Sequence, residues 1–382
     1  MSVVVANKNL HYSSSLIPFV KKNVVMEIAL VLALITSFIV PPDEKYLSYF
    51  DYKTLTCLFC VLSVVCALKD INFFYLIAKK IVHIFSNTRA SILALVYITF
   101  IGSMLIANDM ALLTFLPLGA LVLTTTKKEK YMAFTFIMQN IAANLGGMLT
   151  PFGNPQNLYL YSKFNIPNGE FVSIMAPPFI LSVALITISC LIFVKKESLE
   201  IEDEKIEVDP LKTAILLLLF AFSIIIVFRI VPYVFGLIII PLALIFIDRK
   251  ALKEVDYPLL LTFVFFFIFA GNMGRIETIR TFFSSFLDKD TLIFSSLSCQ
   301  VISNVPSAIL LSQFTSNYKA LLLGVNIGGV GTIIASLASL ITFREYSHHF
   351  PNKKGRYLLE FSLFNFSFLI ILLVFDKIIE KI

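Results

Sequence analysis

The sequence has no tryptophan, four histidines and five cysteines, and charged residues make up only 15% of its 382 positions. A water-soluble domain carries about 25% charge, so an ordinary soluble fold is excluded. Without tryptophan, an aromatic belt at a membrane surface has to use tyrosine, as around Tyr46, Tyr49 and Tyr52. His11, His83, His348 and His349 fall in loops or at interfaces and read as solvated cationic flanks. Cys57 and Cys60 form a CxxC, but inside an apolar run with no accompanying ligand cluster. With Cys66, Cys190 and Cys299 they read as small buried hydrophobes, not as a redox or metal pair. No phosphate-binding glycine loop ending in Gly-Lys-Ser or Gly-Lys-Thr is present, so no ATP drive and no resident cofactor is indicated. Neither a nucleophile–base pair nor a pair of carboxylates stands at membrane depth. The chain therefore reads as non-enzymatic, with no nucleic-acid partner.

What the sequence has is apolar length. Hydrophobic residues make up 58% and the mean hydropathy is +0.87. The expected fold is an all-α polytopic membrane protein of about 11 spans in a lipid bilayer. Single spans are expected at 24–41, 54–68, 172–194, 211–229, 232–247, 257–273 and 357–375. The first lies too far into the chain and is too long for a signal peptide. Four further uncharged or nearly uncharged stretches behave differently: 90–126, 131–162, 291–318 and 320–343. Lysine and arginine in short loops set the orientation. With Lys8, Lys21 and Lys22 cytoplasmic, the cluster Lys127, Lys128 and Lys130 stays inside only if 90–126 enters and returns as a hairpin. A second hairpin at 291–318, entering from the other side, leaves Arg344, Lys353, Lys354 and Arg356 inside. The expected location is a bacterial or archaeal cytoplasmic membrane, with the N-terminus in the cytoplasm.

Asn144 to Tyr161 reads NLGGMLTPFGNPQNLYLY, an uncharged stretch whose glycines and prolines should break a helix. It has a partner. NLGGMLTPFGNPQNL at 144–158 aligns without gaps on NIGGVGTIIASLASL at 326–340, and ANDMALLTF at 107–115 resembles SNVPSAILL at 303–311. Each half thus holds an asparagine-bearing hairpin tip followed by a helix broken after Asn-x-Gly-Gly. The basic residues orient the halves oppositely, giving a first repeat at 1–194, a cytoplasmic linker at 195–210 and a second repeat at 211–382. In lipid, irregular backbone survives only where it packs in protein or lines a cavity. Inverted repeats with broken helices mark secondary transporters. The amides of the break serve as donors and acceptors without permanent charge.

At these residues the chain resembles the ion transporter superfamily of divalent anion/sodium symporters, citrate carriers, arsenite permeases and a branch of sodium/proton antiporters. It is most similar to small bacterial citrate-transporter-like permeases. The resemblance covers nearly the whole chain. It implies a scaffold domain, a transport domain holding both hairpins, an elevator motion and a homodimer. In the symporters a Ser-Asn-Thr at each tip contacts sodium and a substrate carboxylate. Those tips fall here on Ala107, Asn108 and Asp109, and on Ser303, Asn304 and Val305. Only the second keeps Ser-Asn and neither carries the threonine, so a dicarboxylate is not fixed as the cargo.

Asp109 is the only ionisable residue between Arg89 and Lys127. A lone intramembrane carboxylate is expensive and functional by default: it ligates sodium, carries a proton, or locks to a basic residue such as Arg275. The expected coupling-cation residues are Asn108, Asp109, Asn144, Gly153, Asn154, Asn326 and Ser336, with Asn108, Asp109 and Asn154 as sodium ligands. The expected substrate residues are Asn108, Asn304, Ser303, Thr150, Asn157 and Thr332. The function expected is sodium- or proton-coupled uptake of a small anion such as a carboxylate. The alternative is an arsenite-type exporter or sodium/proton antiporter.

Overall fold

The computed structural model describes residues 24–83, 85, 87–198 and 209–380. His11 and the N-terminal lysines on which the orientation was anchored lie outside the described residues, as does most of the acidic linker. Among the described residues every regular element is helical and no strand occurs. In chain order the helices are α1 (Val24–Ile39), α2 (Tyr52–Asp70), α3 (Phe73–His83), α4 (Thr88–Ile106), α5 (Asn108–Thr125) and α6 (Met132–Gly146). They continue with α7 (Pro155–Lys163), α8 (Asn168–Phe193), α9 (Pro210–Val227), α10 (Tyr233–Ile247), α11 (Arg249–Glu254) and α12 (Tyr257–Arg275). The last five are α13 (Glu277–Ile302), α14 (Asn304–Leu311), α15 (Tyr318–Ile327), α16 (Leu337–His349) and α17 (Lys354–Ile379).

Seven of these, α2, α4, α5, α8, α9, α12 and α17, are long and apolar enough to cross a membrane. Their burial differs in a way that sorts them. Most of α2 is packed inside the protein, whereas α8 and α9 turn most of their surface outward, with Ile180 66% and Leu218 71% exposed. Apolar residues facing out in this number suit a lipid surround. All five cysteines are buried and unbridged.

Asparagine and aspartate side chains start the helices where the sequence supplies them. Asp51 accepts the Thr54 N–H at 3.0 Å, Asn87 that of Ala90 at 3.0 Å, and Asn317 that of Ala320 at 3.2 Å. Glycine sets the close helix pairs. At Gly146 on α6 an added Cβ would stand 2.7 Å from Ser103 Oγ on α4, and at Gly324 on α15 it would stand 2.7 Å from Leu292 O on α13. Small residues at such crossings let helices approach where lipid offers no competing drive.

Three features depart from the sequence reading. The loop expected at 69–89 contains α3, an amphipathic helix. The segment before the second hairpin, to which the sequence reading assigns no element, is the first part of α13, which kinks at Asp290. Arg275 is not the partner of Asp109: its guanidinium donates to both Asp43 carboxylate oxygens, at 3.0 and 2.7 Å, and to Tyr49 OH at 3.1 Å. This fork holds the Asp43 carboxyl below the usual carboxylate range and pins the turn after α1 to the end of α12.

The start of the linker is also fastened. Glu197 accepts from Lys128 at 2.5 Å, Lys130 at 2.6 Å and Tyr131 OH at 3.0 Å, and its carbonyl takes the Thr88 N–H at 2.8 Å. These donors push the Glu197 carboxyl down to about 2 from the usual 4.5. A carboxyl lowered by folding stabilises the clamp fully above the unfolded value and loses that effect as pH falls from 4.5 towards 2. The protection of the amides at the linker start, taken relative to their intrinsic exchange at each pH, is therefore expected to fall across that interval. Glu197→Gln, which keeps the shape but not the charge, is expected to flatten the response.

Candidate functional site

The chain reverses between α4 and α5 on one residue, Ala107, at φ 68° and ψ 151°, and between α13 and α14 on Ser303, at φ 73° and ψ 160°. A side chain rarely tolerates this region, which costs of order 1–3 kcal/mol. Both tips therefore store strain at corresponding points. Ala107→Gly and Ser303→Gly are each expected to raise stability by roughly 1 kcal/mol, readable as a higher thermal midpoint in detergent.

Each tip is tied to its own helix break by the same set of bonds. The break after α6 opens at Gly147–Leu149 and closes at Asn154, the residue before α7. That after α15 opens at Gly328 and closes at Ser336, the residue before α16. The Asn108 N–H donates to Gly153 O at 3.1 Å, and the Asn304 N–H to Ala335 O at 2.9 Å. Thr150 Oγ1 donates to Met104 O at 2.7 Å, and Thr332 Oγ1 to Gln300 O at 3.0 Å. Asn108 Oδ1 accepts the Asp109 N–H at 3.0 Å, and Asn304 Oδ1 the Val305 N–H at 2.9 Å. The two threonines thus act here as clasps between tip and break.

The asparagines of both halves converge. Asn108 Nδ2 donates to Asn144 Oδ1 at 3.3 Å. Asn154 Nδ2 reaches Asn144 O and Asn326 Oδ1, each at 3.2 Å, and Asn326 Nδ2 donates to Asn157 Oδ1 at 2.6 Å. A Cβ on Gly329 would stand 3.1 Å from Asn304 Nδ2 and 3.4 Å from Asn144 Oδ1, so the second tip joins the same cluster. Asn157 Nδ2 also spans the first break, donating to Gly147 O, Met148 O and Thr150 O, each at 3.2 Å. Ser336 caps α16, its hydroxyl accepting the Ala338 N–H at 3.3 Å. Ser303 Oγ donates to Ala335 O at 3.3 Å.

Among the described residues, some oxygens in this network have no hydrogen-bond partner. Asn154 Oδ1 and Gln156 Oε1, on residues 1% exposed, and Asp109 Oδ1 are buried and unpaired. Leaving a buried acceptor unmade costs about 1–3 kcal/mol; Asp109 stands on the first turn of α5, Asn154 closes the first break and Gln156 lies in the first turn of α7. Gly147 adds a cradle: a Cβ there would run into Asn154 Oδ1 and stand 2.7 Å from Gly153 O. Asp109 also lines a cavity of about 50 Å³ with Leu58, Leu62, Phe152, Leu337 and Asp256. Asp109 and Asp256 put two carboxyl groups on one largely apolar cavity, with no basic side chain among its described lining.

The family described as Citrate transporter matches residues 14–317. The chain belongs to this citrate transporter family. It is 33% identical over 357 residues, 92% of this chain and 97% of the relative, to uncharacterized transporter MJ0456 of Methanocaldococcus jannaschii. It is 27% identical over 318 residues, 81% of this chain and 84% of the relative, to the inner membrane protein YbiR of Escherichia coli. This citrate transporter family member is a multi-pass membrane transporter and not an enzyme.

Two residues at these features of the transporter, Asp256 on the cavity and Gln300 on the second break, are absent from the sequence reading. Asp256 precedes α12 as its cap, accepting the Leu259 N–H at 3.0 Å, and by position alone was indistinguishable from a loop acid. Gln300 lies one helical turn before Asn304, and its signal was available: it stands where the first half has Met104. Gln139 and Asn140 tie helices together, Gln139 Nε2 donating to Thr99 Oγ1 at 3.0 Å and Asn140 Nδ2 to Asn365 Oδ1 at 3.4 Å.

Proposed function

We propose that this protein is a secondary active transporter that takes up a small anion, a carboxylate of the citrate type, driven by a sodium ion or proton. The reading rests on one observation above the others: the buried oxygens of Asn154, Gln156 and Asp109 that stay unpaired among the described residues, with Asn154 Oδ1 set against Gly147. A cation held there by Asn108, Asp109, Asn144, Gly153 and Asn154 neutralises an electronegative pocket and lets an anion settle between the tips. Asn108, Ser303, Asn304 and Asn157 are the substrate residues in this scheme, while Thr150 and Thr332 keep each tip on its break. Discharge of the cation in the cytoplasm restores the negative field and expels the anion.

The two halves are inverted repeats in this scheme, with α4–α5 and α13–α14 as hairpins re-entering from opposite faces. The cavity between α2 and α12 on one side and α5, α7 and α16 on the other is where the body carrying both tips slides against its scaffold. The protein works as a homodimer in a cytoplasmic membrane, with its N-terminus inside.

The test is uptake in proteoliposomes with citrate, dicarboxylates, sulfate and arsenite, under an imposed sodium or pH gradient. Asn154→Ala is expected to weaken apparent cation affinity by about tenfold, the loss of one ligand bond of about 1.4 kcal/mol, with the maximal rate largely kept. Sodium/proton exchange that runs at full rate with no anion present would replace this reading with antiport.

A further inference from the structure

We propose that Gln300 closes the second helix break to a cation, so that one sodium ion is coupled per cycle, held at the first break alone. The inference deepens the cation-driven uptake above and rests on that reading. Met104 and Gln300 occupy corresponding places, since each carbonyl accepts the threonine hydroxyl of its own break. Their side chains do different things. Gln300 Nε2 donates to Gly328 O at 2.9 Å, Ser296 O at 3.0 Å and Val330 O at 3.3 Å, while its Oε1 accepts the Thr332 N–H at 2.8 Å. The backbone N–H at one end and the carbonyls at the other fix which end of the amide is nitrogen.

Carbonyls of an unwound membrane segment are what a sodium ion binds. Here an electropositive N–H₂ stands among them instead. Room for it comes from Gly331, at φ +135°, where a Cβ would stand 2.7 Å from Gln300 Cδ. The first half has Met104 and Leu149 at these two positions, and a thioether has no hydrogen to donate.

The first break has its own amide cap in Asn157, but it keeps oxygens that the second lacks. Asn154, Gln156 and Asp109 each leave a buried oxygen unpaired. Their counterparts are Ser336, whose hydroxyl is engaged with the Ala338 N–H, and Ala338 and Val305, which have no polar side chain. A single hydroxyl, Ser339 Oγ, is the unpaired buried side-chain oxygen on the second side among the described residues, so a cation there would depend on the backbone carbonyls that Gln300 covers. The halves are equal in frame and unequal in chemistry.

The experiment is equilibrium binding of radioactive sodium to the purified full chain in lipid nanodiscs, at fixed pH and with choline holding ionic strength. Wild type is expected to bind one ion per chain without cooperativity, and Asn154→Ala to bind it about tenfold more weakly. Gln300→Ala, and Gln300→Met as the variant that copies the first half, are expected to admit a second ion. Zero or two ions on wild type would overturn the proposal, as would both Gln300 variants staying at one. Anion uptake driven by pH alone, with no sodium bound, would overturn it while leaving anion transport intact.

Discussion

Asp109→Asn is expected to abolish cation-driven uptake and at the same time to make the protein more stable. The carboxylate sits at the first turn of α5, with Oδ1 buried and unpaired among the described residues, on a cavity it shares with a second acid. An ionised side chain at membrane depth costs roughly 2.5–3.5 kcal/mol on insertion scales. An amide of the same shape removes most of that cost without opening a void, so a gain of about 1–3 kcal/mol is expected. The same change deletes the one formal negative charge at the tip. Losing a buried charge contact costs about 2–5 kcal/mol, a fall of at least roughly 30-fold in coupled uptake. The two signs together are the diagnostic. Uptake in proteoliposomes and thermal midpoints in detergent read them; a variant that still concentrates anion at the wild-type rate removes Asp109 from coupling.

Gly147→Ala is expected to destroy the cation response by filling the cradle. The backbone there, φ −60° and ψ −14°, suits alanine, so the effect is steric and not conformational. The added carbon would stand 2.7 Å from Gly153 O and 2.9 Å from Asn154 Cγ, closer than carbon tolerates. Overpacking of this kind costs about 1–3 kcal/mol. The stabilisation that a bound cation gives should vanish as well, since it scales with occupancy. Gly169→Ala, where nothing lies within 4 Å of the added carbon, is the control and should stay within about 0.5 kcal/mol. Thermal shifts in graded sodium and graded pH distinguish the two glycines; a wild-type response in Gly147→Ala would take the cradle out of the mechanism.

Much of the site was visible before any coordinates because its physics is local. Gly146-Gly147 and Pro151 to Pro155 cannot continue a helix, so the interruption after α6 follows from residue type. The gapless match of 144–158 with 326–340 put Asn144 and Asn326 in corresponding places, and the structure brings both into one amide cluster. The reading failed where partners are far apart in sequence. Sequence alone makes Arg275 a conceivable basic partner for Asp109, yet it bonds Asp43, 232 residues away. Gln300 went unnoticed because its role depends on carbonyls 28 and 30 residues later. The helix α3 is hard to see in the sequence because its lysines mask a short amphipathic pattern.

The sequence by itself determined that this is an all-helical membrane protein with two tips and two breaks, since apolar length, glycine, proline and asparagine act within a few residues of themselves. Only the tertiary structure decided which oxygens are spent and which remain available. That depends on how Asn157 and Gln300 each turn across an unwound stretch, and hydrogen bonds of this kind exist only once distant helices have packed.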